Sequence, residues 1–205
     1  MEELIKKHDV KILVHFTRCD NLKNIFRYGL LTRSYLIDNK IYSIFNDTNR
    51  FDGYKNAICA SISFPNYKMF YRLRYENPSI KWAIIIINKK VLIDKECAFC
   101  IDNAASNSET SIPIQQKKNK EAFDRLFEEY PGQFSRETLG IAKNMTTNPQ
   151  SEVLIFDNIE LEYILGIIFE NESDKEQYKK DIPKEIEFIV HDNLFKGRVD
   201  YEYWR

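Results

Sequence analysis

A glutamine and a glutamate stand on alternate residues in Gln150-Ser151-Glu152. An apolar run, Val153 to Phe156, follows them directly. Side chains two residues apart on a strand point to the same face, so Gln150 and Glu152 are expected to share one space. A carboxylate in that position can bind a ribose hydroxyl and stabilise an oxocarbenium-like centre. Because most pairs of this kind are solvated surface, the pattern needs support from the rest of the chain.

Three further groups carry side chains suited to the same chemistry. His15-Phe16-Thr17 ends the first predicted strand, where the histidine can donate to a ribose hydroxyl, and Thr17 and Asn21 can bind an amide or a second hydroxyl. Arg50 lies in a polar loop and could clamp a pyrophosphate. Ser61-Ile62-Ser63 places two hydroxyls on one strand face. Taken singly, each has a structural alternative: a satisfied histidine beside a helix cap, a surface ion pair, or hydroxyls bonded to backbone.

Length and composition restrict the class of protein. The 205 residues fit one domain, and a content of 43% hydrophobic and 14% aromatic residues indicates a folded core. A formal net charge of -1 excludes a bulk electrostatic nucleic-acid binder, although a local basic surface stays open.

The termini, apolar runs and cysteines predict a cytoplasmic protein that has no membrane contact. The N-terminal residues are charged where a signal peptide is apolar, and the longest apolar run, Trp82 to Ile87, is too short to cross a bilayer. Cys97-x-x-Cys100 has no second CxxC, and the histidines are not spaced as metal ligands. Reduced thiols are therefore favoured over zinc or redox chemistry, and no metal is predicted.

The hydrophobic pattern predicts strands separated by helices. The expected strands are Lys11–Phe16, Ala57–Ser63, Trp82–Ile87, Val153–Phe156, Tyr163–Phe169 and Ile186–Val190. The expected helices run from a cap at Asp20 to Gly29, through Met69 to Leu73, from Phe123 to Tyr130 and from Ser173 to Lys180, with mostly loop from Thr32 to Tyr54. Without βαβ alternation, this order predicts an α+β fold and a single domain over residues 1–205.

The order of these motifs resembles that of the DarT-type ADP-ribosyltransferases, bacterial toxins that move ADP-ribose from NAD to a base of single-stranded DNA. The resemblance runs from about residue 10 to about residue 170. It rests on His15-Phe16-Thr17, Asp20-Asn21-Leu22 with Ile25 and Gly29-Leu30, the Arg50 loop, Ser61 through Tyr71, and Gln150 through Leu154. It implies an ADP-ribosyltransferase-like fold of split mixed or antiparallel sheets flanked by helices, with a polar acceptor-recognition segment at about 103–151.

The resemblance also implies roles for single residues. Glu152 is expected to be the catalytic glutamate, assisted by Arg50 and His15. The NAD-binding set would be His15, Phe16, Thr17, Asn21, Ser61, Met69 and Tyr71. The acceptor-binding set would be Gln150, Arg50, Lys117, Lys118 and Lys120. The lysine run is equally well explained as a solvated face.

One departure leaves the modified base open, because Phe51 to Phe64 lacks the aromatic-proline and glycine-rich stretch of the best-studied branch. The leading hypothesis is transfer of ADP-ribose from NAD, as co-substrate, to a base of single-stranded DNA by a toxin or phage-defence effector. Transfer to RNA such as messenger RNA, transfer to a protein side chain, NAD hydrolysis and an inactive NAD- or nucleic-acid-binding module are the alternatives. A toxin would also need an antitoxin, either a blocking protein or a hydrolase that removes the adduct.

Overall fold

A seven-stranded sheet forms the centre of the computed structural model, which describes residues 1–46, 51–183 and 186–204. The strands are β1 (Ile12–Arg18), β2 (Ile58–Ile62), β3 (Trp82–Asn88), β4 (Cys97–Cys100), β5 (Glu152–Ile155), β6 (Ile164–Phe169) and β7 (Glu187–Val190). Their order across the sheet is β4-β5-β2-β1-β3-β6-β7. Neighbours are antiparallel except for the parallel pair β6 and β7. The predicted α+β class is confirmed.

Short helices connect the strands. They are α1 (Glu2–Lys7), α2 (Leu22–Tyr28), α3 (Arg33–Asp38), α4 (Tyr67–Glu76), α5 (Val91–Asp94), α6 (Asn107–Thr110), α7 (Lys120–Arg125) and α8 (Glu172–Tyr178). Short 3₁₀ turns lie at Cys19–Asn21, Ile114–Lys117, Leu161–Tyr163, Lys179–Asp181, Asp192–Phe195 and Tyr201–Trp204. Within the described ranges, no helix has both the length and the apolar character needed to span a bilayer.

Strand β3 is buried on both faces, as its uninterrupted apolar sequence predicts. Ile85 and Ile87 point into the larger core cluster, which includes residues of α2 and α7. Ile84 and Ile86 point the other way, into a cluster with Phe70 of α4. The sheet is therefore packed on both sides at its centre. This packing fixes β3 and its neighbour β1, so side chains on β1 have a rigid support.

Strands β1 and β2 form a short seam and then separate. Their register covers only Leu13 opposite Ile62 and Val14 opposite Ser61, whereas β1 pairs with β3 along its whole length. One residue beyond the seam, the His15 ring nitrogen Nδ1 lies 2.7 Å from the carbonyl oxygen of Cys59 on β2. A side chain thus bridges the strands where the ladder stops, and a cleft opens between the two halves of the sheet.

Several elements differ from the sequence-based expectation. Helices α1, α5 and α6 and strand β4 were not predicted. The sequence of β4, Cys97-Ala98-Phe99-Cys100, contains none of the β-branched residues typical of strands. Helix α7 ends at Arg125, not Tyr130, although the apolar residues after it are still buried. The prediction that Asp20 caps α2 was wrong: the 3₁₀ turn at Cys19–Asn21 precedes the helix, and no side chain caps it.

Gly29 ends α2 and permits a close contact between distant parts of the chain. Its φ of +86° and ψ of -176° belong to a region that only glycine adopts readily. The next residue, Leu30, exchanges two backbone hydrogen bonds with Ile159, at 2.9 and 2.8 Å. A Cβ atom at Gly29 would lie 2.3 Å from the Ile159 carbonyl oxygen. The predicted helix end is therefore also the point where the chain after α2 is hydrogen-bonded to the segment that follows β5.

Gly29→Ala is expected to lower the free energy of unfolding by about 2 kcal/mol or more, because the backbone strain and the clash with Ile159 add. Urea denaturation of purified protein measures this. Gly132→Ala is the matched control: Gly132 has a φ of +81° but no atom within 4 Å of the added Cβ, so it should lose only about 1 kcal/mol. Equal losses in the two variants would show that contact with Ile159 does not matter.

Candidate active site

The cleft between the separating strands has a volume of about 740 Å³. This is within the usual range of roughly 300–1,000 Å³ for clefts that hold cofactor-sized ligands. Most of the predicted site residues line it. They are His15, Phe16, Thr17, Asn21, Ser61, Met69, Gln150 and Glu152. Residues far apart in the sequence meet here because β5 lies beside β2, which lies beside β1.

Glu152 is held in the cleft by the turn that follows β4. Its carboxylate accepts a hydrogen bond from the backbone N–H of Ala104 at 2.9 Å and one from the Asn103 amide at 3.4 Å. The turn is in place because β4 pairs with β5, with Cys100 opposite Glu152. Only 8% of Glu152 is exposed, so the carboxylate is oriented in a partly desolvated site where its charge acts strongly on a nearby cation.

Gln150 and Ser151 continue the contact between β5 and the β4 turn. The Ser151 hydroxyl donates to the Ile101 carbonyl at 2.7 Å, and the Gln150 amide lies 3.4 Å from an Asp102 carboxylate oxygen. Gln150 precedes the first residue of β5, yet its side chain lines the same cleft as that of Glu152. The two side chains that form the Q-x-E pattern therefore face one space.

A buried arginine fixes the chain immediately before this pattern. Arg198 donates to the carbonyls of Thr146 and Thr147, at 2.7 and 2.6 Å, and forms two hydrogen bonds of 2.6 Å with the Asp200 carboxylate. The Trp204 indole N–H donates to the same carboxylate at 2.6 Å. Because Arg198 and Asp200 are almost fully buried, the C-terminal residues form a rigid support behind Gln150 and Glu152.

His15 is oriented at the cleft by a hydrogen bond from its ring to β2. The Cys59 carbonyl can only accept, so Nδ1 of His15 carries the hydrogen and donates to Cys59. The contact between His15 and a ribose hydroxyl stays a prediction.

Asn21 supports the cleft wall through its side-chain amide. The amide nitrogen donates to the Thr17 hydroxyl at 3.1 Å and to the Ile44 carbonyl at 3.0 Å, while the amide oxygen accepts from the Ile44 N–H at 2.8 Å. Both ends of the amide are therefore used within the protein. Asn21 holds the loop around Ile44 against β1 and leaves the hydrogen of the Thr17 hydroxyl to donate elsewhere.

The opposite wall is formed by β2 and α4. The Ser61 hydroxyl accepts from the Asn66 N–H at 3.2 Å, and the Asn66 side chain caps α4 by accepting from the Met69 N–H at 3.2 Å. This chain of bonds sets the position of α4 at the cleft and brings Met69 to its lining. The ring of Phe16 stacks on Phe70 with centroids 4.6 Å apart, so Phe16 belongs to both the core and the cleft.

Four predicted residues do not line the cleft, and Arg50 lies outside the described residues. Tyr71 is 62% exposed and is not among the residues lining the cleft, which does not support a place for it in the NAD pocket. Lys117, Lys118 and Lys120 also lie outside the cleft lining.

Two of these lysines have partners that the sequence did not indicate. Lys117 is buried in an ion pair with Glu109, at 2.8 Å, and donates to the Glu109 carbonyl at 2.6 Å. Lys118 pairs with Glu96 at 3.0 Å and lies over the Phe156 ring. Lys117 is therefore removed from the acceptor-binding set, because burial and ion pairing leave it no free charge to offer a strand.

The CxxC pair is part of the core. All four cysteines are free thiols, and Cys97 and Cys100 are buried in β4. Burial raises the pKa of Cys97 to about 12 and raises that of Cys100 as well, so both thiols are protonated near neutral pH. In the part of the chain that is described, no three side chains of metal-binding type converge.

The sequence did not indicate the residues that hold the site together. Asn103, Ala104 and Asn66 have structural roles at the cleft, but only Asn66 gave a local signal, since an asparagine after a proline is a common helix cap. The part played by Asn103 and Ala104 depends on β4, which the sequence did not reveal.

Solved structures with the same fold include DarT proteins. A Thermus sp. 2.9 DarT in complex with carba-NAD+ matches with a TM-score of 0.63 at 13% identity, over 92% of this chain and 99% of that one. A Thermus sp. 2.9 DarT in complex with ADP-ribosylated ssDNA matches with a TM-score of 0.53 at 11% identity, over 92% and 97%. At these identities, the likeness shows the fold alone.

A Thermosipho africanus DarTG in complex with ADP-ribose matches with a TM-score of 0.61 at 17% identity, over 90% of this chain. This chain spans about half, 51%, of that DarTG chain. No curated protein matches the chain in sequence. The sequence profile of one family, described as "ssDNA thymidine ADP-ribosyltransferase, DarT", matches residues 14–196, a range that contains His15, Glu152, most of β1 and all of β2 to β7. The chain therefore belongs to the DarT family.

Proposed function

We propose that this chain transfers ADP-ribose from NAD to the base of a thymidine in single-stranded DNA, with Glu152 as the catalytic residue. The observation that carries the proposal is that Glu152 and His15 share one cleft in a chain of the DarT family. We propose that it acts as a toxin or phage-defence effector, which would arrest growth by modifying DNA.

Glu152 supplies the charge that the reaction needs. When the bond between nicotinamide and ribose breaks, its electron pair leaves with the nicotinamide and positive charge develops on the ribose. A fixed carboxylate that accepts a hydrogen bond from a ribose hydroxyl stabilises this charge more than it stabilises the ground state. A ring nitrogen of the base then attacks the ribose carbon, forms the new glycosidic bond and releases its proton to solvent. The orientation of Glu152 by Ala104 and Asn103 means that little reorganisation accompanies the step.

The cleft residues fit the nicotinamide end of NAD. Thr17 retains a hydroxyl hydrogen to donate, and His15 lines the same cleft, so we assign the two to an amide group or a ribose hydroxyl. Phe16, Ser61 and Met69 also line the cleft. Arg50 remains a predicted ligand of the pyrophosphate or of the acceptor.

The acceptor is proposed to enter beside Gln150. In support, Asn103 and Ala105, at the start of the polar segment of about 103–151, and Gln150, near its end, line the cleft close to Glu152. A base in a single strand reaches such a site without the free-energy cost of unpairing. We also propose that residues 1–205 act as a single ADP-ribosyltransferase domain.

We further propose that a second protein restrains the enzyme, either by blocking the cleft or by hydrolysing the adduct. Unrestrained modification of DNA would otherwise stop the growth of the cell that makes it. The cytoplasm is the proposed location, since NAD and single-stranded DNA occur there and the four free thiols remain reduced.

The acceptor is identified by incubating the protein with NAD labelled on the ADP-ribose part and with matched oligonucleotides. We expect label on single-stranded DNA that contains one thymidine, and none on the same strand with cytidine in its place. Label on the matched RNA alone would contradict the proposal and favour an RNA acceptor. Rapid release of nicotinamide without any acceptor would favour an NAD hydrolase, because water would then be the attacking group.

Glu152→Gln is expected to lower kcat for transfer by about a hundredfold or more, because the charge is lost while an oxygen remains to accept from Ala104. Its thermal unfolding midpoint should stay close to that of the parent protein. Initial rates at saturating NAD measure the effect. Glu160→Gln is the control, since Glu160 is an exposed carboxylate that pairs with Lys95 and does not line the cleft. Full activity of Glu152→Gln would show that Glu152 is not catalytic.

Asn21→Ala is expected to loosen the loop that Asn21 holds. The Ile44 amide should exchange with deuterium faster, and KM for NAD should rise by about fivefold, as expected for the loss of one or two hydrogen bonds. Asn39→Ala removes an amide bond to the Tyr35 carbonyl at the end of α3 and should change neither quantity. Unchanged exchange at Ile44 would mean that Asn21 does not hold the loop.

A further inference from the structure

Helix α4 presents an outer surface that neither the core nor the proposed NAD contacts explain. Its inner side is fixed, because Phe70 and Leu73 are buried in the core and Asn66 caps its first turn. Its outer side carries Lys68, Tyr71, Arg72 and Tyr75, here called the α4 strip. These positions are i, i+3, i+4 and i+7, which places them on one face over a length of about 10 Å.

The two tyrosines of the α4 strip form a stacked and exposed aromatic pair. Tyr71 is 62% and Tyr75 is 76% exposed. Their ring centroids are 6.0 Å apart, and the ring planes are within 16° of parallel. Two large aromatic rings together on the surface of a rigid helix are available for contact with another flat group.

The two cations of the α4 strip connect this pair with the cleft. Lys68 and Arg72 both line the cleft, whereas the tyrosines do not. Across the three described stretches of the chain, the charged groups of Lys68 and Arg72 have no hydrogen-bond or ion-pair partner. Arg74 on the same helix differs, since it binds the Glu170 carboxylate and the Phe195 carbonyl. The two unpaired cations thus lie at the edge of the cleft, one helical turn apart.

We propose that the α4 strip binds the DNA strand next to the target base, with phosphates at Lys68 and Arg72 and bases stacked on Tyr71 and Tyr75. This inference rests on the proposed function. Single-strand binding sites combine cations that follow the backbone with aromatic rings on which bases stack. Because the net charge of the chain is only -1, the protein attracts DNA weakly as a whole and needs such a local surface.

NAD is also an anionic ligand with an aromatic base, and the cations alone do not distinguish it from a strand. The exposed tyrosines do, because they lie outside the lining of the cleft that would hold NAD. A ligand that contacts both the cations and the tyrosines has to extend from the cleft over the surface of α4. A nucleic-acid strand leaving the active site does so.

The test compares a double variant, Tyr71→Ala with Tyr75→Ala, with the parent protein on oligonucleotides of two lengths. For a thymidine-containing strand of about twelve nucleotides, KM should rise about tenfold or more, while a strand of about four nucleotides should change little. KM for NAD should stay within about twofold.

Arg72→Ala should reduce the slope of log K against log salt concentration by about 0.7, as expected for one lost phosphate contact on a single strand. Tyr201→Ala and Lys90→Ala are the surface controls and should match the parent protein.

Fluorescence anisotropy of labelled strands, without NAD, measures the same binding independently of transfer. If the parent protein labels DNA but the double variant keeps its KM for the long strand, this inference is wrong and the proposed function stands. A rise in KM for NAD in place of that for DNA would also overturn it. If the parent protein transfers nothing to DNA but binds strands in a way that depends on Tyr71 and Tyr75, the proposed function fails and the binding surface stands. No strand binding by the parent protein would overturn both.

Discussion

The separation of β1 from β2 is the constraint on which the site depends. The strands are registered at only two residue pairs, Leu13 with Ile62 and Val14 with Ser61, and beyond them the sheet opens. His15 fills the first gap by donating from its ring to the Cys59 carbonyl. The same side chain therefore bridges the strands where they part and lines the cleft. A continuous ladder would satisfy the backbone groups without His15 but would leave no space between the strands for a ligand.

The two sides of the cleft are supported in different ways. On the sides of β1 and of α4, the protein uses side chains: Asn21 on the β1 side holds the loop at Ile44, and Ser61 of β2 positions the cap of α4. On the side of β5, it uses backbone and buried charge. The Ala104 N–H orients Glu152, and Arg198 with Asp200 supports the chain just before Gln150. The Glu152 carboxylate is consequently held in a fixed orientation, as electrostatic stabilisation of a charged transition state requires in the proposed mechanism.

Much of the fold and part of the site could be predicted from the sequence. Strand β3 has a strong local signal, an uninterrupted apolar run. The end of α2 has another, a glycine at position 29, which in the structure adopts a positive φ that other residues avoid. The Q-x-E spacing likewise placed Gln150 and Glu152 in one space. The remainder depends on partners distant in the sequence. Nothing local shows that Lys117 is buried against Glu109, that Asn103 reaches Glu152, or that Tyr71 faces solvent. Tertiary packing decides which charges pair and which side of a short helix is exposed. Composition and periodicity carry no information about that packing.

In the proposed mechanism, the Glu152 carboxylate meets the nicotinamide ribose in the cleft between β1 and β2. A crystal structure of this chain with a non-hydrolysable NAD analogue shows whether it does. We expect a ribose hydroxyl within about 3 Å of a Glu152 carboxylate oxygen, with the nicotinamide end of the analogue beside His15. An analogue bound with its nicotinamide ribose away from Glu152, while the carboxylate keeps its bonds to Ala104 and Asn103, would contradict the proposed mechanism.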